Sequence, residues 1–148
     1  MSERLLDKDE WELWHAIKTL SESSLSAVAS VIESATGLSG SDFGILSRLE
    51  DMGHGVLLQQ ELQHALGWEK SRLSHQLTRM EARGLLTRAS ESGVRSVNVK
   101  ISRQGQTAIT TARPVHAAAV RERVLKYVRP NEASALLRLI RRMQTDDG

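Results

Sequence analysis

Glu69-Lys-Ser-Arg-Leu-Ser-His-Gln-Leu-Thr-Arg-Met-Glu-Ala-Arg83 carries two helical periodicities at once, one apolar and one basic. Leu73, Leu77 and Met80 stand at i, i+4 and i+7, the spacing that gathers apolar side chains on one side of an α-helix. Arg72, Gln76, Arg79 and Arg83 repeat at the same interval on a neighbouring side, with His75 alongside. Gly84 closes the helix. An amphipathic helix of this kind suits the major groove of B-DNA. The groove admits one helix and presents a distinct donor and acceptor pattern for each base pair.

The flanking sequence supplies a frame for that helix. Upstream, a short helix over Leu58–Leu66 ends at Gly67. Before it, Ser39 precedes Asp42 by three residues, a capping-box spacing that opens a helix over about Ser41–Met52 with Phe43, Leu46 and Leu49 inside. Gly53-His-Gly55 breaks it. Downstream, Leu85–Arg88 reads as a strand, Ser90–Val94 as a polar turn containing Gly93, and Ser96–Ser102 alternates polar and apolar as a half-buried strand does. Two short helices around a glycine turn, followed by a hairpin, describe a winged helix-turn-helix.

Long helices enclose this unit. Leu6–Thr36 carries the stripe Trp14, Ile17, Leu25, Val28, Ile32 and Ala35. Arg103–Val128 follows the wing with Pro114 as a kink, and a last helix after Pro130 has Ala133, Leu136, Leu137, Ile140 and Met143 apolar. No third layer in the chain can cover both sides of these stripes. A symmetric dimer is therefore expected, with its two reader helices about one DNA turn, ~34 Å, apart on a pseudo-palindromic operator. The expected fold class is mainly α with a small β-hairpin wing. It forms one domain over 1–148, with a winged-helix lobe at 38–102 and a helical dimerisation region at 6–36 and 103–145.

Composition narrows the function. The chain has 148 residues and a formal net charge of +2, which hides an asymmetry. Residues 1–68 carry 4 Lys/Arg against 11 Asp/Glu, net −7, whereas 69–103 carry 8 against 3, net +5. Residues 104–148 carry 8 against 4, net +4. A basic middle segment beside an acidic first half fits a polyanion partner. Without cysteine there is no disulfide frame or thiolate zinc site. No apolar run reaches the ~18 residues of a membrane span, and Met1–Glu10 lacks the order of a secretory leader, so a cytoplasmic protein is expected. No pair among the five histidines has helical metal spacing, and no P-loop, Rossmann or Gly-x-Ser-x-Gly fingerprint occurs. Neither metal nor cofactor is expected.

The sequence resembles the MarR family of bacterial transcriptional regulators over roughly residues 10–143. Leu38-Ser39, Phe43–Leu49, Glu61–Gly67, Ser71–Ser74 and Leu77–Arg88 carry the resemblance, with Val97–Ser102, Gly105 and Pro114–His116 after the wing. Three positions depart from the family pattern: Glu69 opens the reader helix, His75 stands where arginine is common, and Gly93-Val94-Arg95 lacks the wing's aspartate.

The resemblance implies roles. Arg72, His75, Gln76 and Arg79 would meet base edges. Lys70, Ser71 and Ser74 would bond phosphates, and Arg95 would border the minor groove with Arg88 and Lys100 in electrostatic support. For each, the competing reading is a solvated surface side chain. For Arg83 it is a contact with the helix dipole. Trp14, His15, Phe43 and His116 would line a crevice for a small aromatic or lipophilic effector, against plain core packing. The implied function is a homodimeric repressor released by a small molecule. The alternatives are an activator or architectural protein without effector, a winged helix that binds protein instead, and an enzyme using the crevice. No acid–base pair or nucleophile constellation supports the enzyme.

Overall fold

Reciprocal caps set where the first helices begin. In the computed structural model, which describes residues 4–90 and 95–146, α1 spans Lys8–Thr36. The Asp7 carboxylate accepts the Glu10 N–H at 2.9 Å and the Glu10 carboxylate accepts the Asp7 N–H at 2.9 Å, so α1 starts two residues later than its apolar pattern. Ser39 and Asp42 repeat the arrangement at the start of α2, Gly40–Gly53. Beyond α2 the chain turns through His54 (φ 50°) and Gly55 (φ 100°).

That turn leads into β1, Val56–Leu58, which local sequence does not announce. α3 (Gln59–Leu66) and α4 (Lys70–Ala82) follow, then β2 (Leu86–Ser90) and β3 (Val97–Ile101). α5 (Arg103–Arg123) starts at Ser102, whose hydroxyl accepts the Gly105 N–H at 3.0 Å. A 3-10 turn over Leu125–Tyr127 precedes α6, Pro130–Asp146. The expected hairpin is two strands of a three-stranded antiparallel sheet ordered β1-β3-β2, in which Leu57 and Arg88 both stand opposite Val99. The tip expected around Gly93, with the position of the missing aspartate, falls on 91–94 and lies outside the described residues.

One core joins the lobe to the long helices. Ile45, Leu46 and Leu49 of α2, Leu62 of α3, Leu73, Leu77 and Met80 of α4, Val99 of β3 and Ile109 of α5 are all buried, as is Ile32 near the end of α1. The rest of the α1 stripe differs. Trp14, Ile17 and Leu25 are exposed, and α6 buries no residue, leaving Leu136, Leu137, Ile140 and Met143 open. Within one chain these stripes have no cover. Among the described residues no helix is long and apolar enough to cross a membrane.

Candidate nucleic-acid interface

α4 turns its polar side outward. Leu73, Leu77 and Met80 are 0% exposed and fasten the helix to the core. At about 100° per residue, Ser71, His75 and Thr78 point opposite to that stripe, with Ser74 and Arg79 flanking them. Ser71, His75, Thr78 and Arg79 are exposed, Ser74 is half-buried, and Lys70 is exposed at the first turn. Thr78 is missing from the sequence-derived candidates, although it continues the i, i+4, i+7 series of Ser71 and His75. Glu69 precedes the helix without a side-chain capping bond.

Gln76 corrects the sequence reading. Its side chain is 8% exposed, and its amide donates to Asp42 Oδ1 at 2.7 Å while its carbonyl accepts from Arg79. It braces α4 against α2 and does not face a groove. The reason is position: Gln76 sits about 65° from the centre of the buried stripe, near enough for Asp42 to draw it inward. Arg83 is likewise taken by Asp42, at 2.7 Å, with a second bond to the Gly37 carbonyl at 3.3 Å. Asp42, read from sequence only as a helix cap, is 1% exposed and accepts from Gln76 of α4 and from Arg83 just past its end. Buried charge survives when it is paired and fully bonded, and this one is.

The wing root is tied to the same helix. The Arg88 guanidinium donates to Thr78 Oγ1 at 2.8 Å and lies 3.5 Å from Glu81 Oε1, while Glu81 Oε2 accepts the Arg88 N–H at 2.8 Å. Arg88 is therefore a strut between β2 and α4. Arg95 and Lys100 are exposed. Arg95 and Lys70 meet across a shallow groove of about 140 Å³ with Gln59, Gln60 and Gln63 of α3. That brings two expected phosphate or minor-groove cations to one edge.

Behind α4 lies a cleft of about 650 Å³ between α1, α2, the start of α4 and α5. Phe43 and His116 line it as a stacked pair, ring centres 4.2 Å apart and 15° from parallel. Trp14 and His15, expected beside them, are not in it. Leu25 is the first α1 residue to reach the cleft, and Trp14 lies eleven residues earlier, about 16 Å along the helix. His15 instead meets Trp11 edge-on at 4.8 Å, and Lys18 lies over Trp14 at 5.6 Å. Arg72 also departs from its expected role as a base reader. Its guanidinium stacks on Trp68 at 3.9 Å and lines the cleft.

Burial, and then the positive charge of Arg113, hold the His116 imidazole below its ordinary 6.5. The unfolded chain therefore takes this proton at a higher pH than the folded one. Stability from neutral His116 is complete above the ordinary value and is lost as pH falls below it toward the folded value. Between about pH 7.5 and about pH 5.5 the urea midpoint of the wild type should drop more than that of His116→Phe. Equal drops would remove His116 as the cause.

A buried-stripe helix with its polar side free, braced by the preceding helices and followed by an antiparallel wing, defines a winged-helix DNA-binding protein. A family model described as the MarR family matches residues 36–95, the segment from the end of α1 to the wing. No curated protein sequence matches the chain. Among solved structures, the chain is similar to AbsC, a MarR family transcriptional regulator from Streptomyces coelicolor. That match has 26% identity, 97% of each chain covered and a TM-score of 0.84. It is also similar to Sco3205 from the same organism, solved in complex with DNA (22% identity, 95% of this chain and 89% of that one, TM-score 0.85). BpsR from Bordetella bronchiseptica, whose DNA binding is regulated by 6-hydroxynicotinic acid, is 19% identical over 90% of this chain and 98% of its own, with a TM-score of 0.78. The part of the chain that the MarR family model matches is the winged-helix lobe, and the whole chain has the fold of AbsC.

Proposed function

We propose that the chain is a homodimeric, sequence-specific repressor that works in the cytoplasm and is released from its operator by a small molecule. It acts as one MarR-like unit, with residues 38–102 as the reader lobe and 6–36 with 103–145 as the dimerisation region. His75 and Arg79 read base edges. Lys70, Ser71 and Ser74 hold phosphates, and Arg95 borders the minor groove. The observation that carries this reading is the outward side of α4, polar and basic over a fully buried apolar stripe. Dimerisation is supported by the exposed apolar residues of α1 and α6, which in a monomer would leave Trp14, Ile17, Leu136 and Ile140 in water.

The cleft falls in the size range of small-molecule sites, roughly 300–1,000 Å³. Its stacked Phe43 and His116 favour a flat aromatic occupant, in keeping with the aromatic regulator of BpsR. An occupant shifts the reader spacing only by as much as it prefers one conformer over the other. Sequencing genomic fragments captured by the purified full-length protein tests the proposal. Enrichment of a few inverted repeats, lost when an aromatic ligand is added, is the expected result. Capture with no enriched sequence contradicts it.

A further inference from the structure

Thr78 stands on the reading side of α4 with no proton to offer it. The side chain is exposed and continues the outward series of Ser71 and His75 about one turn further along the helix. Its hydroxyl is already engaged within the protein. Oγ1 donates to the Ser74 carbonyl at 2.9 Å and accepts from the Arg88 guanidinium at 2.8 Å. A hydroxyl carries one hydrogen, so none is left for the acceptors of the major groove, guanine O6 and N7, adenine N7 or thymine O4. Arg88 is itself held by Glu81, through its guanidinium at 3.5 Å and its backbone N–H at 2.8 Å. These bonds select one of the two χ1 rotamers between which a helical threonine otherwise divides. What the exposed side chain has left to offer a groove is its methyl group, Cγ2.

We infer that Thr78 reads thymine through that methyl group: Cγ2 packs against the C5 methyl of one thymine in each half-site, an apolar contact that only thymine supplies in the major groove. This rests on the regulator reading above and adds to it a specificity determinant that uses neither charge nor a hydrogen bond to DNA. Ser71, His75 and Arg79 beside it read by donors, acceptors and charge, and none of these detects a methyl group. The wing has a part in this. By occupying the hydroxyl, Arg88 at the root of β2 turns a residue that could bond several bases into one that favours a single base. A methyl contact of this size contributes about threefold to fourfold in affinity, so two half-sites together give about tenfold.

The test uses the full-length protein and a duplex recovered by the genomic selection. Deoxyuridine replaces thymidine at one position of both half-sites at a time, because uracil pairs as thymine does and lacks only the C5 methyl. At one position the exchange should weaken wild-type binding about tenfold. Thr78→Ser keeps the hydroxyl and its two partners but removes the methyl, and at that position it should bind the two duplexes within about twofold of each other. Thr78→Val keeps a methyl and loses both bonds. It should bind either duplex more weakly and still prefer thymine by at least about threefold. Each result is a ratio of two duplexes for one variant, so differences in folding or wing position cancel. No thymine whose methyl matters to the wild type, an undiminished preference in Thr78→Ser, or a preference lost in Thr78→Val each overturns the contact and leaves the regulator reading standing. If the selection recovers no enriched sequence, the regulator reading itself fails and the contact falls with it.

Discussion

Replacing Gly105 with alanine is expected to destabilise the protein by about 3–5 kcal/mol, although alanine is intrinsically the better helix former by about 1 kcal/mol. The reason is a close approach of backbones. Gly105 is buried in the first turn of α5, and a Cβ there would stand 2.1 Å from the Leu85 carbonyl oxygen and 2.9 Å from Ile101 Cγ1. The carbonyl cannot simply retreat, because it accepts the Ser102 N–H at 3.1 Å where the wing meets α5. Relief requires α5 to lift from the sheet, which loosens the joint between the reader lobe and the long helices. Unfolding in urea at fixed protomer concentration measures the effect, and a thermal midpoint lower by about 10 °C should accompany it. A neutral or stabilised variant would show that α5 does not sit on Leu85 in this way.

Asp42→Ala is expected to cost about 2–4 kcal/mol and to weaken DNA binding further than the loss of folded protein explains. The carboxylate accepts the Ser39 N–H at 2.9 Å, the Gln76 amide at 2.7 Å and the Arg83 guanidinium at 2.7 Å. Alanine removes a helix cap, leaves a buried amide without an acceptor, and frees Arg83. The Arg83 side chain is 46% exposed and can rehydrate, which keeps the cost below that of a wholly buried pair. Asp42→Asn keeps the shape but not the charge and should lie between alanine and wild type. Urea midpoints give the stability. DNA titrations under conditions where each variant stays folded give the rest, and wild-type affinity in folded D42A would mean that α2 does not orient α4.

What could be read from the sequence was local. The stripe Leu73, Leu77 and Met80 fixed the buried side of α4, the Ser39–Asp42 spacing marked the start of α2, and alternation through Val97, Val99 and Ile101 marked β3. What could not be read was set by partners far along the chain. β1 is three residues long and exists because Gly55 turns it against β3, some forty residues later. Asp42 looks like an ordinary cap until Gln76 and Arg83, 34 and 41 residues on, reach back to it. The same contact makes a brace of Gln76, whose residue type suggested a base reader. The family resemblance implies Trp14 and His15 at the cleft, but their height along α1 puts them beyond it.

If the outward side of α4 reads DNA, altering it should lower specific affinity more than non-specific affinity. For a duplex recovered from the genomic selection, His75→Ala and Arg79→Ala should each lower the specific-to-non-specific ratio by about tenfold or more. Lys70→Ala should weaken both kinds of binding about equally. If His75→Ala and Arg79→Ala leave that ratio at the wild-type value, the reading surface lies elsewhere on the molecule.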